Sequence, residues 1–258
     1  MINILYAVIV LGVLGAVFGL LLAFASRVFA VPVDERKSAI SEILPGANCG
    51  GCGFAGCSAF ANAVVEGNAP VSGCAVGGAA VSGQIAKIMG IDAEESIRNV
   101  AFVHCSGNHT NSPAKYFYVG VEDCVAALKL QSGPSACQYS CLGMGNCTRA
   151  CKFDAIHVVD GVAVVDKEKC TGCKACVSAC PREIIKVIPY DSKTVVPCNS
   201  KDKGPDTRKV CLVGCISCHI CEKICQYGAI KVVDNHAVID YDKCTSCGEC
   251  IEKCPRGI

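Results

Sequence analysis

The sequence predicts an α+β chain: a single N-terminal transmembrane helix, a small helical cysteine domain, and two tandem copies of a compact α+β cysteine module. Three observations predict it. An uncharged apolar run opens the chain, from Met1 to Ser26. Cysteines number 24 in 258 residues and recur at short, regular gaps. A shift of 74 residues also lays one half of the cysteine-rich part on the other without a gap.

The opening run exceeds the roughly 20 residues that a helix needs to cross a hydrocarbon core. Ala23-Phe24-Ala25 resembles a signal-peptide cleavage site. However, no Lys or Arg precedes the run, and the run is longer than a signal core, so an uncleaved anchor over residues 1–30 is expected. Arg27, Arg36 and Lys37 follow it, which predicts a cytoplasmic location for everything after the span. Gly15 and Gly19 form a G-x3-G pair suited to close helix contact.

Residues 31–97 form the second part. Asp34 to Leu44 has helical periodicity and stops at Pro45-Gly46. Cys49-Gly-Gly-Cys52-Gly-Phe-Ala-Gly-Cys57 follows, with Cys74 further on. Three thiols among small residues let the backbone wrap tightly around a cubic [4Fe–4S] cluster and point amides at its sulfurs. Cys74 is the candidate fourth ligand. Helices are expected over Ser58–Glu66 and Ala79–Met89, the latter ended by Gly90.

Residues 98–136 read as a connecting region. It comprises a buried strand at Asn99–Cys105, a second strand at Lys115–Val119 and a helix at Glu122–Leu130. His104 beside Cys105 could form a ligand pair, although a lone histidine at a strand end is more often structural.

The repeat occupies residues 137–190 and 198–258. Cys170, Cys173, Cys176 and Cys180-Pro181 spell C-x2-C-x2-C-x3-C-P, the run that wraps a bacterial [4Fe–4S] cluster and lends its fourth cysteine to a neighbouring cluster. That fourth cysteine is expected to start a helix. Cys244, Cys247, Cys250 and Cys254-Pro255 repeat the run, and 16 of 31 positions match between Cys151–Pro181 and Cys225–Pro255. Alternating segments around Asp160-Gly161 and Asn235 predict a hairpin in each copy. Each copy should therefore be a bacterial-type 2[4Fe–4S] ferredoxin fold with two hairpins and two short helices, its clusters replacing a hydrophobic core.

In copy 2 the ligand sets are Cys215, Cys218, Cys221 with Cys254, and Cys244, Cys247, Cys250 with Cys225. In copy 1, Cys170, Cys173, Cys176 and Cys151 form one set. The other lacks a thiol, because Met144 stands where the repeat has Cys218. Cys137 is the nearest substitute, giving Cys137, Cys141, Cys147 and Cys180; a three-iron cluster or a different fourth ligand such as Cys124 stays open. Five [4Fe–4S] clusters result. Cys105, Cys124, Cys198 and Cys211 are left over, and a sixth cluster among them also stays open.

Other classes fit less well. Disulfide scaffolds space their cysteines irregularly, and zinc sites rarely use three successive C-x2-C steps. The net charge of +1 gives no electrostatic footprint for nucleic acid. Neither G-x-G-x2-G after a strand nor G-x4-G-K-[ST] occurs, so no dinucleotide or nucleotide triphosphate site is written here. No catalytic group is evident beyond the clusters, which leaves one-electron transfer as the chemistry.

The N-terminal span, the CGGCGFAGC…C domain and the tandem cysteine modules together resemble the B subunits of the Rnf family, and they cover nearly the whole chain. The family comprises membrane ferredoxin:NAD⁺ oxidoreductases coupled to Na⁺ or H⁺ transport. The resemblance implies a subunit that takes electrons from reduced ferredoxin and passes them to membrane partners bearing flavins and further clusters. It also implies that another subunit reduces NAD⁺. Two features depart from the pattern. Lys152 and Gln226, rather than proline, follow Cys151 and Cys225, which should weaken helix initiation there. The chain also ends three residues after Pro255, where a longer tail would be expected. A stand-alone polyferredoxin carrier or a scaffold related to corrinoid iron–sulfur proteins is the competing redox reading, and a zinc-binding adaptor the non-redox one.

Overall fold

The computed structural model describes residues 2–29, 34–92 and 97–258. Met1 and residue 30 of the expected anchor, and residues 31–33 and 93–96 of the next part, lie outside the described residues.

Helix α1 spans Ile2–Val28, about 40 Å at 1.5 Å per residue. Its stretch Ile9–Val28 is long and apolar enough to cross a membrane, and none of its residues is buried. An apolar helix left bare in this way has no partner but lipid or another protein.

Three helices make the next domain: α2 (Glu35–Ile43), α3 (Cys57–Val65) and α4 (Gly78–Met89). The Asp34 carboxylate caps α2 by accepting from the Arg36 amide at 2.9 Å. Gly90, at φ 68°, closes α4 in the left-handed conformation. Ile40, Phe60, Val64 and Ile85 are the buried centre.

Strand β1 (Asn99–Val103), α5 (Cys124–Lys129), α6 (Asn146–Ala150), β2 (Ile156–Val159), β3 (Val162–Val165), α7 (Ala175–Ala179) and β4 (Ile185–Pro189) follow. β2 and β3 form the expected hairpin, with Asp160 and Gly161 both at positive φ as a type I′ turn requires. The second pairing is not a hairpin. β1 pairs antiparallel with β4, Val103 opposite Ile185, so the start of the region read as a connector belongs to the sheet of the first module. Val100, Ile184, Ile185 and Ile188 bury the pair.

The second copy holds α8 (Gly204–Val210), α9 (Ile220–Ile224), the hairpin β5 (Ile230–Val233) and β6 (His236–Ile239), and α10 (Glu249–Glu252). Among the described residues it has that one hairpin. The repeat offset would put its β1 at residues 173–177, which copy 1 already uses for a cysteine loop and α7.

Lys115–Val119 is not a strand. Only an isolated bridge, Ala114 to Ser135, forms there. Phe117 is 91 % and Val119 83 % exposed, so the stretch read as a second strand faces solvent.

Residues 104–112 strap the two copies together. Backbone hydrogen bonds run from Ser106 N–H to the Pro197 carbonyl (3.1 Å) and from Leu212 N–H to the Asn111 carbonyl (2.7 Å). His104 Nδ1 lies 2.9 Å from the Val196 carbonyl. A carbonyl only accepts, so Nδ1 carries the proton. Burial holds His104 neutral, its pKa lowered to about 4, which fits the structural reading of this residue.

Candidate metal centres

The ligand loops share one backbone device. In Cys141–Cys147, Cys170–Cys176, Cys215–Cys221 and Cys244–Cys250, the residues two and four after the first cysteine have positive φ: Gly143 and Gly145, Gly172 and Lys174, Ser217 and His219, Ser246 and Gly248. Alternating the hand of the backbone turns successive amides toward one side and makes a concave nest for negative charge. Glycine adopts the conformation without strain, whereas Lys174, Ser217, His219 and Ser246 hold it at a cost. The loop with Met144 keeps the device although it lacks the middle thiol.

Each loop leads into a short helix, and Cys151, Cys180 and Cys225 are the C-caps of α6, α7 and α9. The fourth cysteine of each run therefore ends or follows a helix and does not start one. The proline missing after Cys151 and Cys225 has no helix to initiate, because that helix lies on the other side of the cysteine.

The thiols converge in sets. Cys49, Cys52, Cys57 and Cys74 line one cavity. Asn48 Oδ1 accepts from the Cys57 amide at 2.8 Å, and the Gly77 amide donates to Cys74 Sγ at 3.3 Å. The distant Cys74 is thus in place. Burial and then the neighbouring Cys170, Cys173 and Cys151 thiols push the Cys176 thiol up to about 11, which marks a second set. The amides of Ala101 and Ala155 donate to Cys170 and Cys151 Sγ at 3.3 and 3.4 Å. In copy 2, Cys215, Cys218, Cys221 and Cys254 share one cavity, and Cys225, Cys244, Cys247 and Cys250 share another.

The irregular set of copy 1 corrects the sequence expectation. Cys124, not Cys137, lines the cavity with Cys141, Cys147 and Cys180. Burial, then Cys141, Cys124 and Cys180, push the Cys147 thiol up to about 12. Cys124 opens α5, and the Cys124 amide donates to Asn146 Oδ1 at 2.8 Å, beside Cys147. Asn146 Nδ2 donates in turn to the Asp123 carboxylate at 2.7 Å. This clamp brings the α5 N-terminus over the gap that Met144 leaves. Cys137 lies elsewhere, on a cavity with Cys105, Cys198 and Cys211. The leftover group is therefore Cys105, Cys137, Cys198 and Cys211, with Cys137 replacing Cys124. The repeat offset of 74 aligns Cys124 with Cys198 and Cys137 with Cys211, but it leaves out Cys105 and does not say how these cysteines group.

The donor chemistry suits clusters better than single ions. Among the described residues, no three His, Cys, Asp or Glu side chains converge tightly enough for one ion. The thiols instead stand in sets around shared pockets, with backbone amides aimed at sulfur, the arrangement that iron–sulfur clusters take. All 24 cysteines fall among the described residues and all are free.

Three domain families match: "Putative Fe-S cluster" at residues 44–76, "4Fe-4S binding domain" at 163–186 and "4Fe-4S dicluster domain" at 214–258. Whole-chain relatives decide the family. The chain is 45 % identical to the B subunit of the Na(+)-translocating ferredoxin:NAD(+) oxidoreductase complex of Acetobacterium woodii, over 98 % of this chain and 76 % of that one. It is 44 % identical to the B subunit of the ion-translocating oxidoreductase complex of Methanosarcina acetivorans, over 97 % and 95 %. It is also 44 % identical to the B subunit of the proton-translocating ferredoxin:NAD(+) oxidoreductase complex of Clostridium ljungdahlii, over 99 % and 91 %. The chain belongs to the family of B subunits of ion-translocating oxidoreductase complexes.

Members of this family carry names with sodium, protons or no stated ion, so membership alone does not choose the ion. For this chain it gives [4Fe–4S] domains, a membrane-associated setting and other subunits of a complex as partners.

Proposed function

We propose that the chain is the iron–sulfur electron-relay subunit of an ion-translocating ferredoxin:NAD⁺ oxidoreductase, anchored by α1 with its cysteine domains in the cytoplasm. The observation that carries the reading is that the thiol sets abut one another in series. A methyl group at Gly51 would lie 2.7 Å from the Cys173 carbonyl oxygen, so the first set touches the second. The Cys147 thiol feels Cys176, and the Cys221 thiol feels Cys250, linking the two sets within each copy.

Five sets would hold [4Fe–4S] clusters: Cys49, Cys52, Cys57, Cys74; Cys151, Cys170, Cys173, Cys176; Cys124, Cys141, Cys147, Cys180; Cys215, Cys218, Cys221, Cys254; and Cys225, Cys244, Cys247, Cys250. Residues 99–190 and 198–258 are then two dicluster ferredoxin-like modules. Bound clusters supply one-electron chemistry at potentials set by hydrogen bonding, charge and burial. The chain's own groups do the rest. Thiolates hold the iron, amide N–H groups stabilise negative charge on sulfur, and burial keeps water away.

Cys218 and Cys247 are the two exposed cysteines, and both lie in the second module. Reduced ferredoxin therefore docks at this end, and flavin- and cluster-bearing membrane subunits take the electrons from the α2–α4 domain, which follows α1 in the chain. Arg27, Arg36 and Lys37 after the span support the cytoplasmic side.

The test is anaerobic isolation from membranes washed at high salt, followed by titration with reduced ferredoxin monitored by EPR. Retention on the membrane and reduction of several [4Fe–4S] signals are expected. Release by salt would favour a stand-alone polyferredoxin, and zinc without sulfide would end the redox reading.

A further inference from the structure

With five sets assigned, four cysteines remain, and they come from four separate stretches of chain. Cys105 lies two residues past the end of β1, Cys137 precedes the first ligand loop of copy 1, Cys198 follows β4, and Cys211 caps α8. No motif joins them, yet all four line one cavity at the seam between the modules. Cys198 and Cys211 are buried, as is Cys137.

Backbone amides converge on their sulfurs. The Gly107 amide donates to Cys105 Sγ at 3.4 Å, and the Cys141 amide to the same sulfur at 3.3 Å. The Cys215 amide donates to Cys198 Sγ at 3.2 Å. Two of these donors are themselves cluster-ligand residues, Cys141 in the first module and Cys215 in the second. A lone buried thiol has no need of charge-stabilising amides. Here, two of four thiols around a common space accept them, Cys105 from one module and Cys198 from the other.

We propose that Cys105, Cys137, Cys198 and Cys211 hold a sixth [4Fe–4S] cluster, and that this cluster bridges the two ferredoxin-like modules. The proposal rests on the relay reading and deepens it. Each module pairs its own two clusters by exchanging fourth ligands, but nothing in that exchange connects module to module. The seam site does so through single hydrogen bonds, Cys141 N–H to Cys105 on one side and Cys215 N–H to Cys198 on the other. Passing one electron through it leaves the site as it was, one in from one neighbour and one out to the other. The sites then form a row, from the set with the exposed Cys247 in module 2 to the Cys49 loop, the set that follows α1 in the chain.

The test uses the full-length holoprotein, isolated anaerobically and assayed for iron and acid-labile sulfide. The unmutated chain is expected to carry about 24 of each, four per cluster, and the Cys198→Ser and Cys211→Ser variants about 20. In the fully reduced wild type, EPR signals of the flanking clusters are expected to be broadened by spin coupling, and to sharpen in those variants. A wild-type count near 20 that Cys198→Ser leaves unchanged would overturn the sixth site while leaving the relay reading intact. Iron without sulfide, or zinc, would overturn both. The wild-type count decides even where a variant fails to fold.

Discussion

Arg182 lies among the thiols of Cys137, Cys180, Cys105 and Cys141, whose negative charge favours its cation against a larger opposing effect of burial. Its guanidinium donates to the Ser132 carbonyl, which fixes the charge in place between two sites. An electron added to either site gains from this cation. Arg182→Gln should therefore lower both potentials, by on the order of 50 mV for each ~1 kcal/mol of Coulomb energy lost. A redox titration by EPR checks the sign: unchanged or raised potentials would remove Arg182 as a tuning group. Gly51 poses a steric question. Its missing Cβ is what lets the Cys49–Cys57 loop rest on Cys173, with that residue's Cα only 3.0 Å from where a methyl would sit. Gly51→Ala should cost about 1–3 kcal/mol, as overpacking does, and slow electron exchange between the two sites. Thermal unfolding of the holoprotein measures the first effect and freeze-quench EPR the second. Both residues were silent in the sequence, because neither charge proximity nor backbone contact has a local signature.

At the scale of the element, the Cys141–Cys147 loop shows how a repeat keeps its backbone after the loss of one thiol. Its backbone keeps the positive-φ pattern of its three counterparts, so the cradle is intact, and α5 delivers a thiol from outside the loop. This predicts a rescue. Cys124→Ser should lose one cluster, about four iron per chain, and Met144→Cys in the same chain should restore it by returning the loop to the pattern of Cys218. Cys137→Ser combined with Met144→Cys should show no such restoration. If Met144→Cys instead rescued Cys137→Ser and not Cys124→Ser, the original sequence assignment would stand. The helices themselves were largely legible: α2, α3 and α4 appear within a residue or two of the expected spans, because capping by Asp34 and Gly90 is local chemistry. The strand expected at Lys115–Val119 was not, because aromatic and β-branched residues favour a strand only where a partner strand gives them a surface to pack on.

For the whole molecule, metal and fold are one problem. The core of module 2 contains Val196, Cys198, Cys215, Ile230 and Ala237, too little apolar surface to hold a domain without its clusters. The α2–α4 domain has a larger apolar centre built on Ile40, Phe60, Val64 and Ile85. Anaerobic removal of iron should therefore unfold module 2 first and spare much of the α2–α4 helical signal, a sequence that hydrogen exchange would resolve. Deleting residues 1–28 should release the chain from membranes with its iron content unchanged. Loss of clusters on that deletion would mean that α1 packs on the cysteine domains, against its bare surface here.

The residues alone pointed to the apolar N-terminal helix, the two-copy plan, the β2–β3 and β5–β6 hairpins and the grouping of the candidate cysteines in the regular runs, because in each case the chemistry is written at fixed short spacing. Tertiary structure decided which of Cys124 and Cys137 goes where, that β1 completes the sheet of module 1, and that four unrelated stretches meet at the seam. Those outcomes depend on contacts between residues far apart in the chain, whose positions are set by packing and strand pairing and leave no periodic trace in the order of amino acids.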